Sequence, residues 1–177
     1  PARCTRFHGA RPVRSAEVMG LGETPSCRRM TRFDVDGSGV VASYIHLGGK
    51  VGVLLEVGCE NDASTADDGF REVVKDLTLH IAASAPAGLA REDIPVDLVE
   101  AEKDLFRKQM ENSGKPPEIL DRIVEGKLGK FYSERCLLEQ GFVKDPDVSI
   151  ANLLEANGKE LGDTLTVRRF VRYALGE

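Results

Sequence analysis

The stretch 59–68 begins with a thiol and continues with acidic side chains. Cys59, with Asp62 close by and His46 or His80 elsewhere, supplies the residue types of a Cys/His nucleophilic site. Nothing in the spacing fixes the geometry that such a site needs, and a cysteine at a strand end is more often a small buried hydrophobe. We therefore interpret the acidic stretch as a loop that is placed against another molecule.

Metal chemistry has little support from the sequence. The cysteines lie far apart and form no CxxC pair; they are Cys4, Cys27, Cys59 and Cys136. This spacing is neither a zinc pattern nor a dense disulfide framework, and it favours a reducing compartment. The sequence predicts no bound metal and no cofactor.

Two predicted strands deliver the acidic loop to one place. In residues 39–46 two sets of side chains alternate, as on the two faces of a strand. After Gly48-Gly49, apolar residues occupy every second position, at Val51, Val53, Leu55 and Val57. Alternating β-branched residues around a glycine turn indicate a β-hairpin. The acidic loop directly follows its second strand.

Helical patterns follow the loop. Apolar residues spaced i, i+3, i+4, i+7 and i+11 predict a helix over residues 70–81, which Asp67 and Asp68 can cap. Segments 95–110 and 116–136 predict an antiparallel helical hairpin, and 148–161 a shorter helix. Residues 164–174 predict a third strand, whose arginines are expected to form structural ion pairs; these are Arg168, Arg169 and Arg172. The predicted class is α+β, with a small three-stranded antiparallel sheet packed with helices.

Composition sets limits on location and partners. The chain has 177 residues, 41% of them hydrophobic, and a net charge of −5, which argues against a general nucleic-acid binder. No apolar run approaches the roughly 20 residues of a membrane span. Residues 1–36 are rich in Arg, Pro, Gly and Ser and lack a period, so we predict a disordered arm or linker, with a transit-peptide remnant as the alternative. Residues 37–177 form the predicted core domain.

Five blocks of the core resemble translation elongation factor Ts in order and spacing. They read SYIHLGGKVGVLLEVGCEND, LHIAAS, ENSGKPPEILDRIVEGKLGKFYSE, CLLEQGFVKDP and TVRRFVRYALGE. The resemblance implies an α+β sandwich core with a helical hairpin and no enzymatic activity. It also implies guanine-nucleotide exchange on the GTPase elongation factor Tu as the function.

The family's functional motif, Cys-Glu-Thr-Asp-Phe-Val-Ala, matches residues 59–65. By resemblance, the loop residues Asn61, Asp62, Ala63 and Ser64 displace Mg²⁺ from the GTPase. Asp62 is retained, although an acid there can also serve simply as a loop or cap residue. Ala63 replaces the family's Phe, a wedge between elements of the nucleotide site, so we expect binding to survive better than exchange.

Three further positions match family contacts with the GTPase. Val51 and Gly52 lie on the second strand, where a glycine can equally mark close backbone packing. His80 belongs to the LHIAAS block, and a histidine near an apolar stripe can equally be a packed core residue. Both interpretations stay open for each position.

Other properties also depend on the resemblance. Residues 1–36 lack the family's Thr-Gly-Ala-Gly-Met-Met-like motif, which predicts lower affinity for the GTPase. A homodimer is expected, because short family members pair through their sheets. The expected location is the bacterial cytoplasm, with mitochondrion and plastid as alternatives. The competing function is a degenerate or ribosome-associated module that binds elongation factor Tu without efficient exchange.

Overall fold

The computed structural model describes residues 29–110 and 117–177. The chain divides into two units at residues 34 and 35, and residues 29–34 are the described part of the first unit. Within the described part of the first unit, Arg32 and Asp34 form an ion pair of 2.7 Å. Most of the predicted arm 1–36 lies outside the described residues, so its disorder stays a prediction.

The second unit is built on a three-stranded antiparallel sheet, as the sequence predicts. Its strands are β1 (Gly39–His46), β2 (Val51–Gly58) and β5 (Thr166–Ala174), in the order β1-β2-β5. The central strand β2 contributes the period-two residues, whose side chains are all buried. The α+β class is confirmed.

Helix α1 (Asp68–Ser84) covers one face of this sheet. Phe70, Leu77 and Ile81 are fully buried against the apolar side of β2, as their helical spacing predicts. The Asp67 carboxylate accepts a hydrogen bond from the Gly69 N–H and caps the helix start, and Ala85 ends the helix in the left-handed region with φ 47°.

A helical hairpin forms a second core. The hairpin consists of helices α2 (Val96–Met110) and α3 (Pro117–Arg135), which contact each other. Near the end of α2, the Gln109 side-chain oxygen accepts a hydrogen bond from Lys127, and before the start of α2 the Arg91 guanidinium stacks on the Tyr132 ring. This order of contacts is that of an antiparallel pair, as predicted. The apolar cluster between the two helices contains Ile94, Val99, Val124, Leu128, Phe131 and Cys136.

Two details differ from the sequence prediction. The residues between the predicted helices 116–136 and 148–161 contain a two-stranded ribbon, β3 (Gly141–Phe142) and β4 (Asp145–Ser149). Since β4 includes residues 148 and 149, the following helix α4 (Ile150–Leu161) begins two residues later than predicted. The strands are too short and too polar to produce a period. The hairpin turn is also longer than two glycines: it spans residues 47–50 and includes Leu47 at φ 50°.

The other face of the sheet is open to solvent within the part of the chain that the structure describes. The strand register places Leu54 of β2 beside Val171 of β5, and Gly52 beside Ile45 and Tyr173. Ile45 is 66% exposed, and the others are partly exposed. This apolar surface, together with Val41, is called the open face below. Among the described residues, no helix is long and apolar enough to cross a membrane.

Candidate functional site

The acidic loop leaves the end of β2 and forms a short 3-10 helix, Asp62–Ala66. Asn61 caps this turn, because its side-chain oxygen accepts a hydrogen bond from the Ala63 N–H at 3.1 Å. The Thr65 hydroxyl donates to the Asp62 carbonyl at 2.7 Å. The loop is therefore an ordered turn rather than a loose connection.

The turn presents Asp62 and Ala63 to solvent. Both residues are exposed, whereas Ser64 is half-buried and faces the rest of the domain. The Asp62 carboxylate and the Ala63 methyl group thus form the outer surface of the loop. The Asn61 side chain and the Ser64 hydroxyl instead make hydrogen bonds that hold the loop in place. The structure brings the four predicted loop residues together in one turn.

Asp163, which the sequence analysis did not identify, supports the loop from the other side. One carboxylate oxygen accepts the Glu60 N–H at 2.9 Å, and the other accepts the Asn61 N–H at 3.2 Å and the Ser64 hydroxyl at 2.5 Å. The first oxygen also accepts the Thr164 N–H at 2.7 Å. Three of these four donors belong to the loop.

These hydrogen bonds favour the ionised carboxylate. The Ser64 hydroxyl has the largest effect and, with the three N–H groups and against partial desolvation, lowers the pKa of Asp163 from 3.8 to about 2. Because the pKa of Asp163 is lower in the folded chain, its contribution to folding stability is complete above pH 3.8 and is lost as the pH falls through about 2. Asp163 is therefore ionised at neutral pH.

The end of α4 fixes the backbone of Asp163. Gly162 takes the left-handed conformation with φ 65°, and its N–H bonds the Lys159 carbonyl. The Asp163 N–H bonds the Gly158 carbonyl at 2.9 Å, which completes a Schellman motif. A glycine after an apolar helix predicts such a helix end, but nothing local predicts that the next side chain reaches residues 60–64.

Cys59 is not arranged as a nucleophile. The residue is 7% exposed, and burial, with the nearby carboxylates of Asp163 and Asp62, raises the pKa of its thiol against the opposing effect of Arg168. His46 pairs with Val51 at the far end of β2, roughly 25 Å away at about 3.3 Å per residue. The Cys59 thiol thus packs as a small apolar group.

Val51 and Gly52 do not lie beside the loop. They occupy the start of β2, next to the hairpin turn, and the loop follows the other end of the same strand. Val51 is 8% exposed, while Gly52 pairs with Ile45 across the strands β1 and β2. Any contact through this pair is a separate contact from that of the loop.

His80 is fully buried inside α1. Its Nε2 lies 2.9 Å from the Gln140 side-chain oxygen, and the Gln140 amide donates to the Glu134 carbonyl at 2.7 Å. Burial lowers the pKa of His80 against the opposing effect of this hydrogen bond. A neutral packed histidine that connects α1 to the end of α3 fits these contacts, and a direct contact with a partner stays a prediction.

The arginines of β5 form ion pairs, as predicted. A β-bulge sets Arg168 and Arg169 against one buried carboxylate, that of Glu56, at 3.4 and 2.6 Å. Arg172 instead pairs with Glu177 at 3.3 Å. Within the described ranges, no group of three His, Cys, Asp or Glu residues is arranged to hold a metal ion.

Comparison with known proteins gives consistent matches. The profile of the family described as Elongation factor TS matches residues 10–177. The chain is similar to proteins named Elongation factor Ts from Geobacter sulfurreducens, at 48% identity over 139 residues, and from Desulfosudis oleivorans, at 46% over 139 residues. A third relative, from Trichlorobacter lovleyi, is 42% identical over 157 residues.

These matches cover most of the chain but less of the relatives. They include 78%, 78% and 89% of the chain, respectively. The same alignments span 64%, 70% and 50% of the three relatives. The chain therefore corresponds to part of the length of these proteins.

Proposed function

The chain belongs to the elongation factor Ts family, and from this membership we propose that it binds the GTPase elongation factor Tu and accelerates its release of GDP. The observation that carries the proposal is the exposed Asp62 at the end of the central strand, in a capped turn held by Asp163. The activity is binding and exchange, without a covalent change in either protein. The chain is therefore a regulator of a GTPase and not an enzyme.

The proposed mechanism acts on the Mg²⁺ site of the GTPase. A nucleotide held by Mg²⁺ and phosphate contacts is released when those contacts are disturbed. The Asp62 carboxylate introduces a negative charge among the groups that orient the metal, and the turn keeps it on the outer surface of the loop. Because binding is reciprocal, the exchange factor and the nucleotide each weaken the binding of the other.

Binding and exchange can be measured separately. Pull-down with elongation factor Tu reports binding, and stopped-flow fluorescence of a labelled GDP reports release. Binding with faster release supports an exchange factor. Binding without faster release would instead identify a binding module, and the absence of binding would remove both functions.

Asp62→Asn tests the role of the carboxylate. We expect it to slow catalysed GDP release about tenfold, because a charge-assisted contact contributes roughly 1.5–3 kcal/mol. Asp147→Asn is the matched control, since Asp147 is an exposed acid on β4, outside the loop. Equal rates for Asp62→Asn and the unchanged chain would contradict the proposal.

A second contact with the GTPase is proposed near the hairpin turn. Val51 and Gly52 lie there beside Ile45 and Leu47, which are 66% and 64% exposed. These exposed side chains provide apolar area that the buried Val51 does not. His80 is proposed to act in partner binding through the position of α1, because its own side chain is buried.

The open face supports pairing of two chains. We propose a homodimer in which the open faces of two sheets pack together around Leu54 and Val171, so that the end of the face near the hairpin turn, with Gly52 and Ile45, stays available to the GTPase. Val171→Lys would place two cations in this interface, so light scattering should show loss of the dimer. Ala151→Lys on α4 is the control and should keep it. A single-chain mass for the unchanged protein, or a dimer that tolerates Val171→Lys, would contradict this arrangement.

We place the chain in the bacterial cytoplasm, where its relatives' role in translation would be carried out. The relatives compared above are bacterial proteins. Direct binding of nucleic acid is not proposed, since the net charge of −5 opposes it.

A further inference from the structure

We propose that Asp163 is the positioning residue of the exchange loop: its carboxylate holds residues 60–64 in the conformation that presents Asp62 and Ala63. The proposal rests on the proposed function for its effect on nucleotide release. Its effect on the loop does not depend on that function. Asp163 lies 103 residues from Glu60 in sequence, and a tertiary contact therefore defines the loop conformation.

The hydrogen bonds divide the loop into a held side and a presented side. The backbone N–H groups of Glu60 and Asn61 and the hydroxyl of Ser64 all point to the Asp163 carboxylate. Asp62 and Ala63 lie between these donors in sequence and remain exposed. The carboxylate thus anchors the loop before and after the two residues that would meet the GTPase.

Without Asp163, the loop would have to become ordered when it meets the partner. Fixing the backbone of one residue costs roughly 1–2 kcal/mol, and a preordered loop does not incur that cost in the bound complex, at the step in which the loop acts on the nucleotide site. The loss of Asp163 therefore lowers the maximal rate of release more than it weakens the binding that the rest of the domain provides. The remaining local bonds are the Asn61 cap and the Thr65 hydroxyl contact. Such local bonds alone stabilise a short 3-10 turn weakly.

Asp163 is itself held rigidly. The Schellman motif fixes its backbone, and Gly158 allows the close approach, since a Cβ at residue 158 would lie 2.7 Å from the Asp163 carbonyl oxygen. A carboxylate on a rigid helix end can accept four hydrogen bonds at once, whereas a carboxamide cannot. Asp163→Asn therefore removes part of the anchor while nearly conserving the shape.

The first measurement is hydrogen exchange of the loop amides in the free chain, followed by NMR. We expect Asp163→Asn to speed exchange at Glu60 and Asn61 about tenfold or more, with no change at Leu77 in α1. Ser64→Ala removes a donor instead of the acceptor, and it should speed exchange at the same amides to a smaller extent. Asp147→Asn on β4 is the control for the lost charge and should change neither.

The second measurement is GDP release from elongation factor Tu as a function of the concentration of the full chain. Asp163→Asn should lower the maximal release rate about tenfold and change the half-saturating concentration less than threefold. A general loss of folding would instead reduce the fraction of active chains. This raises the half-saturating concentration and leaves the maximal rate unchanged. Circular dichroism before each assay establishes that the variant is folded. If Asp163→Asn does not fold, the Ser64→Ala variant is used for the same two measurements.

The outcomes separate this proposal from the proposed function. If the unchanged chain does not accelerate GDP release, the proposed function fails, and the amide exchange rates still decide whether Asp163 holds the loop. If the unchanged chain is active, and the Asp163→Asn variant shows the same rates of amide exchange and GDP release as the unchanged chain, the positioning role is overturned. Faster loop exchange together with a lower maximal rate supports it.

Discussion

Replacing Ala63 by Phe is expected to raise the maximal rate of GDP release about tenfold or more. A Phe ring buries roughly 150–250 Å² at an interface, and alanine offers only its methyl group. If only about 1.4 kcal/mol of that difference is realised while the nucleotide leaves, the rate rises tenfold. Stopped-flow release of labelled GDP from elongation factor Tu, with both chains at saturating concentration, measures the change.

The exposed position makes Ala63 suitable for this substitution. Its side chain faces solvent, so a ring can be added without disturbing the core, and its backbone N–H keeps the bond to Asn61. Ala151→Phe, at an exposed position near the start of α4, adds the same ring away from the loop and should leave the rate unchanged. Equal rates for Ala63→Phe and the unchanged chain would show that the missing ring does not limit exchange.

Ala63 and Asp62 also show why fold and activity are separable in this chain. The strand that leads to the loop, the Asn61 cap and the Asp163 anchor are all present, so the loop has a defined conformation. Ala63 stands in that conformation where the family resemblance implies a Phe. We therefore expect the chain to bind with its acid in place and to exchange slowly for want of apolar contact.

Local patterns in the sequence were sufficient to predict most of the fold. Period-two burial along β2, the apolar stripe of α1 and the Asp67 cap all depend on residues within a few positions of each other. The ribbon β3–β4 escaped prediction because its strands are two and five residues long and polar. The positive φ of Leu47 also has no local signal, since leucine rarely adopts it.

The supports of the candidate site could not be predicted in the same way. The loop residues were found by motif, but the partners that hold them lie far away in sequence. Asp163 follows a helix end that glycine marks, and the packing of α4 against α1 brings its carboxylate to the loop. His80 is a similar case, because Gln140, its partner, comes from a segment 60 residues away. Tertiary hydrogen bonds of this kind leave no periodic signal.

Glu56 is a buried carboxylate in the central strand, and its loss is expected to destabilise the fold. Its side chain is 1% exposed, and it accepts hydrogen bonds from the Asp36 N–H at 3.0 Å and from Arg169 at 2.6 Å. Arg168 pairs with the same carboxylate and donates to the Asp36 and Ser38 carbonyls. Glu56 therefore joins the residues before β1 to the bulge in β5.

Gly58 makes this arrangement possible. A Cβ at residue 58 would overlap the Arg168 guanidinium, so a larger residue there would displace that side chain from its present position. The Ser38 carbonyl that Arg168 binds also accepts the Cys59 N–H at 3.1 Å. The buried carboxylate is thus connected, through Arg168 and Ser38, to the first residue of the loop.

Glu56→Ala is expected to lower the free energy of unfolding by about 2 kcal/mol at pH 7, because it leaves the Asp36 N–H without its acceptor and removes two charge-assisted hydrogen bonds. The partly exposed arginines can be solvated, which keeps the loss below that of a fully buried pair. Urea unfolding at a fixed chain concentration measures this, with Glu72→Ala on the exposed side of α1 as the control. The control should change stability by less than about 0.5 kcal/mol.

The difference between Glu56→Ala and the unchanged chain should depend on pH with a definite sign. Burial alone would raise the pKa of Glu56, but the Asp36 N–H and the two arginines outweigh it and hold the pKa below its ordinary value of 4.5. A lowered native pKa means that the stabilisation is complete above 4.5 and declines as pH falls below it. The difference in free energy of unfolding between Glu56→Ala and the unchanged chain should therefore be smaller at about pH 3 than at pH 7. A difference that stays constant would show that Glu56 stabilises the fold by packing and not by charge.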